Sequence, residues 1–107
     1  MQRKSIIYKT AKGVELYTEY VDSLRDRQAA AKIRARATRA EMGNFGNHRT
    51  VGQGVVELKI DFGPGYRIYA GLHGNELIVL LCAGDKSTQD KDIAKAHDYW
   101  EDYRRNL

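Results

Sequence analysis

The chain predicts an α+β domain: an antiparallel sheet with two N-terminal helices packed on one face and a C-terminal helix, in the order β-α-α-β-β-β-α. Three observations predict it. Residues 14–42 hold two segments with apolar side chains at helical spacing, and residues 85–107 return to that period after a capping signal. Between them, three short β-branched and aromatic runs are joined by "GPG" and "HGN", both good hairpin turns. A chain of 107 residues is expected to close one domain, residues 1–107, around a single core.

The elements follow in order. "SIIYKT" is a short strand. After Gly13, residues Val14, Tyr17, Val21 and Leu24 recur at helical spacing, and Leu16 and Tyr20 widen that arc. "RDRQAAAKIRARATRAEM" is alanine and long flexible side chains, all strong helix formers. At about 100° per residue, Arg25, Lys32, Arg36 and Arg39 fall in one stripe beside an apolar arc of Ala29, Ile33, Ala37 and Ala40. "MGNFGNHRTVGQG" ends the helix as a glycine- and asparagine-rich loop.

In "VVELKIDF", Val56, Leu58, Ile60 and Phe62 alternate with Val55, Glu57, Lys59 and Asp61. One face is core and the other polar, as in a sheet covered on one side only. "YRIYAGL" is its hairpin partner. "ELIVLLCAG" has no alternation and is predicted to be central, with both faces covered. Ser87 or Thr88 caps the last helix, Asp90 sits in its first turn, and Ile93, Ala96, Trp100, Tyr103 and Leu107 form its apolar stripe.

Charge is unevenly placed. Residues 1–50 carry 11 Lys and Arg against 5 Asp and Glu, whereas residues 51–107 carry 7 against 9. A basic first half suits a polyanion-binding surface. The single cysteine, Cys82, excludes an internal disulfide framework and lies in an apolar run, which marks a buried, inert thiol. No signal peptide is visible and the run "LIVLLCA" is too short to span a bilayer, so a cytoplasmic protein without a membrane partner is expected. His48, His73 and His97 have no metal-ligand spacing on a common element, and the "GQG" and "GPG" glycines do not precede a helix as a phosphate loop must. Neither a metal, a cofactor nor a small-molecule substrate is expected.

Arg67 is the residue that the hairpin pattern does not explain. Pairing Lys59 or Asp61 opposite Arg67 puts Lys59, Arg67 and Tyr69 on the polar face and keeps Leu58, Ile60 and Ile68 in the core. Lys86 emerges where the next strand ends. Such a face suits RNA, because arginine offers a planar fork to phosphate oxygens and tyrosine can stack on splayed bases. The competing reading is an opposite-charge pair of Arg67 with Asp61 or Glu57 across the strands. For Arg25, Lys32, Arg36 and Arg39, contact with a polyanion such as RNA competes with a solvated helix face.

Residues 51–96 resemble the RelE/ParE toxin superfamily, in its HigB-like, phage-derived addiction module killer branch. The residues that carry the resemblance are "ELKIDFGPGYRIY", "GDKSTQ" and "DKDI". It implies a RelE/ParE-like fold and a toxin of a type II toxin-antitoxin pair, held inactive by a small antitoxin that is expected to be a helix-turn-helix protein. Many RelE-like members are endoribonucleases that cut mRNA on the translating ribosome; ParE-like members poison DNA gyrase instead. A degenerate toxin that only binds its antitoxin is a third possibility. In cleaving relatives the arginine of the Tyr-Arg strand contacts the scissile phosphate, which maps onto Arg67. The basic residue after the last strand maps onto Lys86, and that of the preceding strand onto Lys59. Metal-independent attack by the 2′-hydroxyl would use Arg67 against the developing phosphorane charge and Lys86 at the phosphate or leaving oxygen. Lys59 could act as base if a neighbouring cation favours its neutral form.

Overall fold

The computed structural model describes residues 3–75 and 77–107. Strand β1 (Lys4–Ile7) leads into helices α1 (Leu16–Ser23) and α2 (Arg27–Glu41). Strands β2 (His48–Thr50), β3 (Val55–Ile60), β4 (Tyr66–His73) and β5 (Leu77–Asp85) follow, and a 3-10 turn (Lys86–Thr88) opens into α3 (Gln89–Arg105). The architecture is α+β, with one five-stranded sheet in the order β1-β5-β4-β3-β2. Glu76, with which the expected "ELIVLLCAG" strand begins, lies outside the described residues.

The sheet is mixed, where an antiparallel one was expected. β1 runs parallel to β5, with Lys4 beside Leu77 and Ile7 beside Leu80. β5 is buried on both faces, so its outer edge needs a partner for its backbone groups, and β1 supplies it. The Gly/Asn-rich segment, expected to be loop throughout, also holds a strand. β2 pairs antiparallel with β3 and puts Arg49 opposite Glu57.

The β3–β4 hairpin has the even register expected, with Lys59 opposite Arg67 and Leu58 opposite Ile68. That register delivers Leu58, Ile60 and Ile68 to the core beneath α1 and α2, where Val21, Ile33 and Ala37 meet them. Each fully buried Leu or Ile there is worth about 1.5–3 kcal/mol.

The opposite face was expected to be polar and open along the β3–β4 hairpin and covered only at β5; it is covered more widely. α3 lies across it and builds a second core from Val55, Tyr69, Val79, Leu81 and Trp100. Gly71 admits the indole: a side-chain carbon at that position would stand 2.2–2.5 Å from Trp100 ring atoms. With both faces covered, the lack of alternation in β5 has its cause. A bulge in its pairing with β4, at Tyr69–Ala70, adds to it by letting Leu81 and Cys82, neighbours in sequence, both join the α3-side core.

Caps set where the helices begin. The Asp26 carboxylate accepts from the backbone N–H of Gln28 at 2.9 Å and Ala29 at 3.1 Å, so α2 starts at Arg27. Arg25 therefore precedes the helix and is not part of its stripe. Asp85 caps the 3-10 turn, accepting from Ser87 N–H at 2.8 Å; Thr88 holds the N-cap position of α3, as one of the two expected residues, but makes no side-chain hydrogen bond to the helix backbone. No described helix is long and apolar enough to cross a membrane.

Candidate functional site

α3 covers only part of its face of the sheet. Beyond its first turn the polar residues of β3 and β4 remain open, and they floor a cavity of about 440 Å³. Strand alternation places Glu57 and Lys59 there from β3 and Arg67 from β4. β2 adds His48 and Arg49 along one rim, and Lys86 and Gln89 close the other where the chain turns into α3. Four cationic side chains thus share the cavity with a single carboxylate.

The three residues singled out as catalytic, Lys59, Arg67 and Lys86, are brought together. Lys59 and Arg67 are cross-strand partners. A point one side-chain carbon out from Gly65 lies 3.6 Å from Arg67 Nη1 and 3.9 Å from Lys86 Cβ, so guanidinium and lysine flank the same spot. Gly65 has φ +83°, a left-handed turn conformation suited to glycine, and its open flank leaves room for both.

Arg67 is 4% exposed, unusual for a cation. Its Nη1 donates to the Gly65 carbonyl at 2.9 Å. Its Nε stands 3.7 Å from Glu57 Oε2, inside ion-pair range but too far for a hydrogen bond, and has no other partner. Among the described residues Glu57, and not Asp61, is its only ion-pair partner. An unsatisfied buried donor costs about 1–3 kcal/mol, a cost this guanidinium bears at the floor of the cavity.

Glu57 is 2% exposed and sits at the centre. Its Oε1 accepts from Arg49 Nε at 2.9 Å, and its Oε2 accepts from Gln89 Nε2 at 2.9 Å and from the Tyr69 hydroxyl at 3.1 Å. Burial pushes this carboxyl up, but the hydrogen bonds from Arg49, Gln89 and Tyr69 outweigh it and leave it below the usual carboxylate range. Glu57 is therefore an ionised brace whose oxygens are already occupied.

Two residues proposed for RNA contact take other roles. Tyr69 is fully buried under α3, so its ring cannot stack on a base; its hydroxyl serves Glu57 instead. Burial and the neighbouring carboxylate keep that phenol protonated well above its ordinary range. Arg36 is 3% exposed and binds backbone: Nε donates to the Lys59 carbonyl at 3.0 Å, and Nη2 to the carbonyls of Asn47, at 3.1 Å, and Phe45. It ties α2 to the loop that carries the cavity rim. Lys32 and Arg39 are exposed and, with Lys59, line a shallower depression beside Phe62, whereas Arg25 stands apart from it. Cys82 is buried as expected, and burial, with Asp92 nearby, pushes its thiol up to about 12.

His48, Arg49, Glu57 and Gln89 escaped the sequence reading as site residues. His48 Nδ1 lies 2.9 Å from the Gly46 carbonyl, which can only accept, so Nδ1 is the donor in that contact. The one signal available was the Glu57–Lys59 alternation; for β2 there was none.

No family model matches the chain. A Haemophilus influenzae protein described as "Uncharacterized protein" is 48% identical over 80 residues, which cover 75% of this chain and 81% of that protein. The chain belongs to the same family as that protein.

Proposed function

We propose that this chain is the toxin of a type II toxin-antitoxin module, a RelE/ParE-like domain of the HigB-like branch, and that its cavity cleaves mRNA. The observation that carries the reading is Arg67: a buried guanidinium, braced by Glu57, that lines the same cavity as Lys59 and Lys86. The resemblance of residues 51–96, quoted above, supplies the toxin assignment and the fold family.

The chemistry needs three things, and the cavity offers a group for each. The 2′-oxygen attacks the adjacent phosphorus as Lys59, which must be in its neutral form for this step, takes its proton. Arg67 balances the charge that builds on the phosphorane oxygens, and its charge is fixed at any physiological pH. The P–O5′ bond breaks as Lys86 gives a proton to O5′, leaving a 2′,3′-cyclic phosphate and a 5′-hydroxyl. Positioned acid and base groups supply about 10²- to 10⁴-fold each. With cations already in place, the reaction calls for neither a metal nor a cofactor. The partners on this reading are mRNA on the ribosome, with Lys32 and Arg39 towards ribosomal RNA, and a small antitoxin of helix-turn-helix type.

Expression of the wild-type chain should arrest growth, with cuts mapping inside translated messages. Arg67→Ala and Lys86→Ala should relieve the arrest and abolish the cuts while melting as folded proteins. Full toxicity in both variants would remove the site assignment; arrest with DNA damage and intact messages would favour a gyrase poison.

A further inference from the structure

We infer that Arg49 is a second phosphate-binding residue, held in place by Glu57, and that the cavity grips two consecutive phosphates of a single RNA strand. The inference rests on the RNA-cleaving reading above and deepens it.

Glu57 separates two arginines. Arg49 donates to Oε1 through Nε at 2.9 Å, and Arg67 approaches Oε2 through Nε at 3.7 Å. In both cases the contact is made by Nε, the nitrogen nearest the chain. Among the described residues, Arg49 has no further hydrogen bond, so both of its distal nitrogens are unused. A guanidinium that served only to neutralise Glu57 would gain most by a two-pronged contact with the carboxylate. Here one prong is spent on orientation and the fork is left for another anion.

The neighbouring contacts agree. Gln89 and Tyr69 both serve Glu57 Oε2, and Arg49 Nε alone completes Oε1, so the distal nitrogens of Arg49 are left over. Arg49 comes from the edge strand β2 and its side chain is 58% exposed, open to a ligand. Arg67, at 5%, is reached only from within the cavity. The deep cation, with Lys86, suits the scissile phosphate, and the rim cation suits the phosphate beside it. Spaced across one carboxylate, the pair matches neighbouring phosphates along a strand better than two oxygens of one phosphate. Arg49 touches substrate on this account; Glu57 acts through Arg49 and Arg67 and is a positioning residue.

The test compares two uncleavable probes, a 2′-O-methyl diuridine with one phosphate and a 2′-O-methyl triuridine with two, titrated into the purified chain by NMR. The wild-type chain should bind the trimer about tenfold more tightly than the dimer, the yield of one added charge-assisted contact. Arg49→Ala should lose that gain, binding trimer and dimer alike, and Arg49→Lys should recover part of it. Glu57→Gln, which leaves both arginines but removes their brace, should weaken both probes. A full trimer gain in Arg49→Ala would overturn the inference and leave the RNA reading standing. No binding of either probe to the wild-type cavity would overturn both.

Discussion

Replacing Glu57 by glutamine changes one atom at the centre of the cavity and keeps the side chain's volume. The amide can orient its oxygen to keep Gln89 and Tyr69, which turns its NH2 against Arg49. Arg49 is largely exposed and can swing into water, so that clash adds little. The larger effect falls on Arg67, which loses its only ion-pair partner among the described residues while its side chain stays 5% exposed. Breaking a buried pair costs about 3–5 kcal/mol; the 3.7 Å separation and the open cavity put this case at the low end, about 3 kcal/mol. At about 4 °C per kcal/mol for a domain near this size, the melting temperature should fall by about 12 °C. Adding Arg67→Met to Glu57→Gln removes the stranded charge, so the double variant should be about 1–3 kcal/mol more stable than additivity gives. pH supplies a second check. Because the folded-state carboxyl lies below its ordinary range, its stabilisation is complete above the unfolded value and disappears as pH falls through the folded one. The gap between wild type and Glu57→Gln should therefore close in acid. Denaturant melts at several pH values measure all three effects. A Glu57→Gln cost below about 1 kcal/mol, or strict additivity with Arg67→Met, would refute the brace argument.

Two other outcomes follow from burial. Tyr69→Phe removes one of the three hydrogen bonds to Glu57, which should cost about 1 kcal/mol in a thermal melt and leave RNA cleavage within a few fold. A well-folded Tyr69→Phe that no longer arrests growth would restore tyrosine to the chemistry. Arg36→Ala should lower stability by about 3 kcal/mol through three freed carbonyls. Lys32→Glu with Arg39→Glu should instead leave the melt nearly unchanged and weaken ribosome cosedimentation in a salt-dependent way. The reverse pattern would put RNA contact on Arg36.

Much of the fold was legible because its signals are local. Helical spacing found α2 despite a very polar sequence, and the alternation of Leu58 and Ile60 against Lys59 fixed the hairpin register. What escaped was set by contacts between distant segments. Nothing in "KSII" says that it will lie parallel to β5 rather than antiparallel. The meeting of Gly71 with Trp100 joins residues far apart in sequence, so only the unalternating β5 and the apolar stripe of α3 pointed to the second core, and Val55 and Tyr69 were assigned to an open face. β2 is three residues between asparagine and glycine, too short for a period. Of the residues that line the cavity, Lys59, Arg67 and Lys86 were named from the sequence, and Glu57 entered only as a possible cross-strand partner of Arg67, not as the centre of the positive charge. It is the residue about which that charge is arranged. Arg36 was misplaced because helical spacing gives its angle about the axis and not what the neighbouring loop does to cover it.

The claim on which the account depends is that the Arg67 cavity breaks RNA by attack of its own 2′-hydroxyl. The direct measurement is the chemistry of the new ends in transcripts isolated shortly after induction. The account expects 2′,3′-cyclic phosphates and 5′-hydroxyls in cells expressing the wild-type chain, and none above background with Arg67→Ala. Growth arrest with uncut transcripts, or cut ends bearing 3′-hydroxyls and 5′-phosphates, would contradict it.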